Sequence, residues 1–398
     1  MIRKIRLFDL LNPIISFNIS YLIFISGAPL VFLILGINLH YKEDTYLYIY
    51  SYPFFCTIAF IFFQFFLRKR KIKLNKIKSL NNKNFKYFMN FSAGILGFYY
   101  LFYQADSIPL LSDNAETLRV EFSKGKGTKI LLFTALIYYG SINYFINNGL
   151  NLKSFILILL GTSTILFLGF RSPAFYYLLA CFLGYSSNNR KYLTKGAINY
   201  KLILILAILL PIASLIGLYR AGFSPSSSLE LFINMKHLFL VNSNNFNLIV
   251  EGYRETDFQY GASFINDFLV GIPGSNNEFS GVKLKKYLGI DFIGQTMTVT
   301  LPGEGFINLG GLGVILHSII LGFIISFLNE LFRIKNNTSN RFYLVILNIF
   351  CLRIVTGGIM PILIFVVIPI MIIKAINSLS FKHNNYSIST PNQPNTLN

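Results

Sequence analysis

Five arginines lie near the ends of hydrophobic stretches or in the segments that join them: Arg119, Arg171, Arg220, Arg254 and Arg353. A guanidinium group is permanently charged and can bind two phosphate oxygens at once. Ionisable groups at membrane depth are costly, so they indicate a function unless they pair with acids or extend to the interface. Bundled helices can bring distant residues together, and the pattern therefore predicts a phosphate-binding site.

Two further residues could act as a general base. His237 has the chemistry for this role near neutral pH, although a lone His on an amphipathic helix also fits an interfacial residue. Glu304 lies in Leu301-Pro302-Gly303-Glu304-Gly305, where its carboxylate could be a base, pair with an arginine, or lie near a helix N-terminus. His317 lies inside a hydrophobic stretch, and we interpret it as a hydrogen-bonding residue in helix packing.

Several familiar sites are not indicated. The chain has no Asp-x-Asp pair, no Gly-x-Ser-x-Gly and no His-Glu-x-x-His. Its three cysteines fall inside hydrophobic stretches without metal-ligand spacing, so we expect neither a metal nor a cofactor. A Walker lysine is missing near the glycines, and close helix approach is the better interpretation for the glycines at 303, 305, 310, 311, 313 and 322.

Hydrophobic stretches dominate the chain. It is 54% hydrophobic and only 13% charged over 398 residues, which excludes an ordinary soluble domain. A span needs ~20 apolar residues, and unpaired backbone cannot face lipid, so each stretch should be a helix. We predict an all-α polytopic membrane protein with about ten transmembrane helices. The stretches are 19–37, 46–67, 87–104, 130–146, 155–170, 174–187, 202–219, 306–328, 342–355 and 359–376.

Basic residues follow the predicted topology. With the N-terminus inward, inward segments carry 22 Lys and Arg against 2 Asp and Glu, whereas outward segments carry 13 against 14. This is the positive-inside bias, and the run Arg68-Lys69-Arg70-Lys71 dominates the inner side. The net charge of +19 therefore indicates membrane topology and not nucleic acid. We expect a multi-pass protein of the cytoplasmic membrane with both termini cytoplasmic.

The predicted spans divide the chain into four regions. Residues 1–219 hold helices one to seven with an outward loop at 105–129, and residues 220–302 form one large outward loop. Residues 303–377 hold helices eight to ten, and 378–398 have the composition of a disordered cytoplasmic tail. In the large loop, 228–250 predicts an amphipathic helix on or near the membrane surface. A break is expected at Ile272-Pro273-Gly274.

Five motifs occur in an order that resembles the bacterial O-antigen and capsule polymerases, the Wzy-type oligosaccharide repeat-unit polymerases. They are IPLLSDNAETLRVEF, GFRSP, GLYRAG, YGASFINDFLVGIP and LPGEGFINLGGLGVI, and the ordered pattern covers most of residues 95–360. The chain departs from such proteins after Pro273, where Gly274 and Ser275 stand in place of a basic residue. That departure weakens any assignment of a ligand contact there.

The resemblance implies a C-type glycosyltransferase-like membrane fold. It also implies a glycosyltransferase that joins repeat units carried on undecaprenyl diphosphate, at the outer face of the cytoplasmic membrane, in lipopolysaccharide O-antigen or capsule synthesis. Arg171, Arg220 and Arg353 would hold the diphosphate, Arg119 would assist, and Arg254 is a further candidate. Glu304 or His237 would deprotonate or orient the acceptor hydroxyl. The expected partners are the lipid-linked glycan, membrane lipid and a chain-length regulator.

Three other classes of protein remain open. A flippase for lipid-linked oligosaccharides would show a polar central cavity and related halves, and the sequence indicates neither. A ligase-like transferase would move finished glycan to another acceptor. A membrane structural or sensing protein would need no set of outward arginines.

Overall fold

The computed structural model describes residues 11–69, 84–112, 118, 121–122, 126–168, 171–188, 228–253, 255–270, 277–290, 297–333 and 338–386. Within these ranges every regular element is a helix. The all-α prediction is therefore confirmed for the part of the chain that the structure describes.

We number the main helices of these ranges in chain order. They are α1 (Pro13–Ile34, with a π-helical turn at Leu22–Ser26), α2 (Glu43–Lys69), α3 (Asn84–Ala105), α4 (Gly127–Asn148), α5 (Leu152–Phe167), α6 (Arg171–Asn188), α7 (Ser228–Gly252), α8 (Ala262–Val270), α9 (Ser280–Tyr287), α10 (Leu301–Arg333), α11 (Thr338–Gly357) and α12 (Ile359–Ile362, Leu363–Val367 and Ile368–Tyr386).

Nine of the ten predicted stretches coincide with α1 to α6 and α10 to α12, and 202–219 lies outside the described residues. Six of these helices, α1, α2, α4, α10, α11 and α12, are long and apolar enough to cross a membrane. The chain is thus a multi-pass membrane protein, and the count of ten stays a prediction. The expected break at Ile272-Pro273-Gly274 also lies outside the described residues.

The last helix is longer than predicted. α12 reaches Tyr386, beyond residue 378, where the disordered tail was expected to begin. Leu379 and Phe381 continue the apolar character, and the first proline that would end the helix is Pro391. The disordered cytoplasmic tail stays a prediction, and 387–398 lie outside the described residues.

Close helix pairs in this bundle depend on glycine. A Cβ at Gly140 of α4 would lie 2.5 Å from the backbone oxygen of Tyr87 and 2.8 Å from the backbone nitrogen of Phe91, both on α3. Gly322 of α10 likewise faces the backbone of Cys56 on α2. Because lipid provides no hydrophobic driving force between helices, close backbone approach and dispersion stabilise such pairs.

Buried hydrogen bonds join α1 to α11. The Ser16 hydroxyl donates to Oδ1 of Asn348 at 2.6 Å, and the Ser20 hydroxyl donates to the carbonyl of Leu352 at 2.6 Å. In membranes such interhelical bonds stabilise by roughly 0.6–2 kcal/mol each, and they fix the rotation of one helix against its neighbour.

Helix α7 packs against the bundle. Phe246 and Ile249 are fully buried, and the Thr45 hydroxyl of α2 donates to Oδ1 of Asn247 at 2.9 Å. A helix predicted over 228–250 is thus confirmed as Ser228–Gly252. Its position on the membrane surface stays a prediction.

Candidate functional site

Helix α10 is broken near its start. Leu309 (φ −148°, ψ 24°) and Gly310 (φ 59°, ψ −146°) leave the helical conformation. A Cβ at Gly305 would lie 2.8 Å from the carbonyl oxygen of Gly313, although residues eight apart in a straight helix are ~12 Å apart. Segment 301–308 is therefore bent back against segment 311–333. This differs from the single continuous span predicted over 306–328, because Gly310 permits a positive φ.

Residues of the large loop satisfy the backbone groups that this break exposes. The backbone N–H groups of Gln259 and Tyr260 donate to the carbonyls of Ile307 and Asn308 at 3.0 and 3.1 Å. The Asn308 amide donates to the carbonyl of Glu304 at 2.6 Å and to the Ser263 hydroxyl at 2.7 Å. These bonds fix segment 301–308, and with it the position of Glu304.

The Glu304 carboxylate lies at the start of α12. It is 5% exposed and accepts hydrogen bonds from the backbone N–H of Ile359, at 3.1 Å to Oε1 and 3.2 Å to Oε2. Gly358 has φ 75° and ψ 166°, and a Cβ there would collide with Oε1 of Glu304. Glu304 therefore caps the N-terminus of α12, where the helix dipole favours a negative charge. It also lies in the first turn of α10, as predicted.

His317 connects Glu304 to α2. Its Nε2 lies 3.9 Å from Oε2 of Glu304, and its Nδ1 is 2.8 Å from the hydroxyl of Tyr52. The ring of Phe264 stacks on the imidazole with centroids 5.5 Å apart, and Tyr21 stacks on Tyr52 at 5.7 Å. His317 thus bonds across a helix interface, as the sequence predicted. If the Tyr52 hydroxyl donates to Nδ1, the proton of a neutral imidazole is on Nε2 and faces Glu304.

Asp267 of α8 is a buried acid near Glu304 that the sequence pattern did not single out. It is 6% exposed, and its Oδ1 accepts hydrogen bonds from the backbone N–H and hydroxyl of Ser280 at 2.6 and 2.8 Å. Its charge interacts with that of Glu304. Burial raises the pKa of Asp267, whereas the bonds from Ser280 lower it.

The raised pKa of Asp267 has a consequence for stability. The folded protein binds this proton more tightly than the unfolded chain does. Stability therefore falls as pH rises from the ordinary Asp pKa of ~3.9 through the raised value, and it is level above that.

Arg353 lies near the C-terminal end of α11, between that helix and α6. It is half-buried, and its guanidinium carbon is 5.1 Å from the ring centroid of Tyr176 in a cation–π contact. Tyr176 follows Arg171 by five residues, which is ~7.5 Å along α6. The hydroxyl of Tyr138 on α4 donates to the carbonyl of Pro173 at 2.6 Å. The helices that carry two of the predicted arginines therefore meet here.

The remaining predicted residues are described only in part. Arg119, Arg220 and Arg254 lie outside the described residues, as do the side chains of Arg171 and His237. The α7 backbone nevertheless constrains His237. A Cβ at Gly303, beside Glu304, would lie 2.9 Å from Ile249 of α7, and His237 is twelve residues or ~18 Å of helix away from Ile249. Along α7, the backbone of His237 is therefore far from the residue that contacts Gly303.

Sequence reasoning missed Asp267, Asn308 and Tyr52. A signal existed for Asn308, because a polar residue beside Gly310-Gly311 inside an apolar run is typical of a broken helix. No local signal identified Asp267 or Tyr52, since their partners are distant in sequence. Among the described residues, no group of three or more His, Cys, Asp or Glu side chains could hold a metal ion.

The family is shown by a comparison with known proteins. The model of the O-antigen polymerase family matches residues 12–368, which is most of the chain. The chain belongs to the O-antigen polymerase family. No solved structure matches it. The stretch matched to the O-antigen polymerases contains Glu304, His317 and Arg353, together with the broken helix that positions the first two.

Proposed function

We propose that this protein polymerises repeat units carried on undecaprenyl diphosphate, at the outer face of the cytoplasmic membrane, into O-antigen or capsular polysaccharide. The observation that carries the proposal is the O-antigen polymerase match over residues 12–368, in a chain with six helices able to cross a membrane. The growing glycan would move from its lipid diphosphate onto the newly arrived unit. A chain-length regulator would act with it.

The reaction forms one bond and breaks one bond. The acceptor hydroxyl oxygen attacks the anomeric carbon of the growing chain, and the bond from that carbon to the diphosphate oxygen breaks with its electron pair. Arginine side chains would neutralise the departing diphosphate, which is where positioned charge lowers a barrier most. Arg171, Arg220 and Arg353 would do this with help from Arg119, and Arg254 is a further candidate. The contact of Arg353 with Tyr176 supports this for two of them.

We propose Glu304 as the group that accepts the hydroxyl proton, with His237 as the alternative. Glu304 is buried, fixed by Asn308 at its backbone, and has His317 3.9 Å from its carboxylate. In this role His317 would be a positioning residue, held by Tyr52. To receive the proton, Glu304 would exchange one of its bonds to Ile359 for the acceptor hydroxyl.

The first experiment is deletion of the gene in its host, with the surface glycan separated by size on a gel. Loss of the ladder with one repeat unit still attached at the surface is the expected result, because flipping and ligation would continue. Loss of every unit, with lipid-linked precursor held inside, would instead indicate a flippase and overturn the proposal.

Complementation of the deleted gene with variants then tests the role of Arg353. Arg353→Ala at normal protein level should leave single units only, whereas Lys129→Ala, which removes an equal charge from an exposed position on α4, should restore the ladder. A full ladder from Arg353→Ala would remove Arg353 from the site without affecting the assignment of the family.

A further inference from the structure

A groove of about 770 Å³ opens between α3 and α5, and α4 forms part of its floor. Its lining is almost entirely apolar. Phe88 of α3 and Leu160 of α5 are exposed on its walls, whereas Phe91, Tyr144 and Leu157 are buried beneath them. It extends along α3 from Asn84 to Leu96, twelve residues or ~18 Å, which is close to the ~15 Å of hydrocarbon in one leaflet.

One end of the groove is basic. Lys153, the second residue of α5, lines it and is exposed, and no acidic side chain lines it. Asn84, the first residue of α3, lines the same end, and the chain reaches it directly after the segment that begins Arg68-Lys69-Arg70-Lys71. An apolar channel with a cation at one mouth is complementary to an acyl chain attached to an anionic headgroup.

The groove is distant from the candidate site. Helix α5 separates Lys153 from the start of α6 at Arg171, and its 16 residues span ~24 Å. A lipid with its phosphate at Lys153 therefore has its headgroup at the opposite membrane face from the proposed diphosphate site. This excludes the lipid-linked donor in its reacting position as the occupant.

We propose that this groove is a binding site for one anionic phospholipid of the leaflet at its Lys153 end, with an acyl chain along Phe88 and Leu157 and its phosphate at Lys153. One basic residue near a membrane surface contributes about 1 kcal/mol toward an anionic lipid. The groove should therefore prefer an anionic over a zwitterionic phospholipid about five-fold.

The chain has no Trp, so one introduced Trp is a clean reporter. Phe88→Trp is placed in the full-length protein, which is reconstituted in vesicles of phosphatidylcholine and phosphatidylglycerol. One lipid at a time carries brominated acyl chains, and quenching of the Trp fluorescence measures which lipid occupies the groove. We expect phosphatidylglycerol to be preferred about five-fold at this position.

Two controls separate binding in the groove from the general attraction of anionic lipid to the basic segment. Phe66→Trp lies near the end of α2, outside the groove and beside the basic run, so it reports the general attraction. Lys153→Gln should abolish the preference at Phe88→Trp and leave the preference at Phe66→Trp unchanged, whereas Lys129→Gln at the opposite end of α4 should change neither. Equal quenching by both lipids at Phe88→Trp, a preference there that survives Lys153→Gln, or an equal loss at both reporters would each overturn the proposal.

Discussion

Replacement of Gly358 by Ala tests whether Glu304 is fixed by contact with the start of α12. Gly358 has φ 75° and ψ 166°, a backbone conformation that side chains with a Cβ rarely adopt. The new methyl group would also collide with Oε1 of Glu304 and move the carboxylate away from Ile359. The substitution therefore strains the backbone and removes a helix cap at once.

The magnitude follows from these two effects. The backbone strain costs about 1–3 kcal/mol, and loss of the cap costs about 0.5–2 kcal/mol. We expect Gly358→Ala to destabilise by about 1.5–5 kcal/mol and to abolish long polymer, because the proposed base is displaced. Gly289→Ala is the matched control, since Gly289 has φ 63° and no atom within 4 Å of a Cβ, so only backbone strain of about 1 kcal/mol applies.

Denaturant unfolding in detergent measures the stability of both variants, and the size-resolved glycan gel measures their polymer. Glu304→Ala combined with Gly358→Ala should cost less stability than the sum of the single changes, because the new methyl group at 358 then has no carboxylate to collide with. Equal destabilisation by Gly358→Ala and Gly289→Ala, or strictly additive costs in the double variant, would refute the geometry on which the reasoning depends.

Three more predictions follow from single contacts. Tyr52→Phe removes the hydroxyl 2.8 Å from His317 and should destabilise by roughly 0.6–2 kcal/mol in denaturant unfolding, with shorter polymer on the gel. Asp267→Asn should remove the contribution of Asp267 to the pH profile of unfolding, which is a loss of stability as pH rises above ~4, and an unchanged profile would contradict the assignment. Gly140→Leu should prevent the approach of α3 to α4 and abolish folded protein in size-exclusion chromatography, whereas Gly127→Leu, where a Cβ meets nothing within 4 Å, should not.

The helices could be predicted from the sequence because their signals are local. Runs of ~20 apolar residues can only be helical in lipid, and the positions of α2, α4 and α11 follow from that constraint. The glycine pattern also predicted close helix approach, which is confirmed at Gly303 and Gly322. These features need no knowledge of which helices are neighbours.

The arrangement around Glu304 could not be predicted in this way. Its carboxylate binds the backbone of Ile359, 55 residues further along the chain, and that pairing depends on how α10, α11 and α12 pack. The break at Leu309 and Gly310 was also missed, although Asn308 beside Gly310-Gly311 carried a signal, because the prediction followed the apolar run, which continues through the break. The chemistry of Glu304 was recognisable from the sequence, whereas its capping role was not.

The large loop and the broken helix depend on each other. A break in a membrane helix leaves backbone groups without partners, and water cannot satisfy them in hydrocarbon. Here the N–H groups of Gln259 and Tyr260 bind the carbonyls of Ile307 and Asn308, and Asn308 in turn binds Ser263. Without this part of the loop, segment 301–308 would regain backbone hydrogen bonds by continuing the helix of 311–333. Glu304 would then lose its contact with Ile359. We therefore expect the loop to be required for the position of the proposed base, even though it does not supply that base.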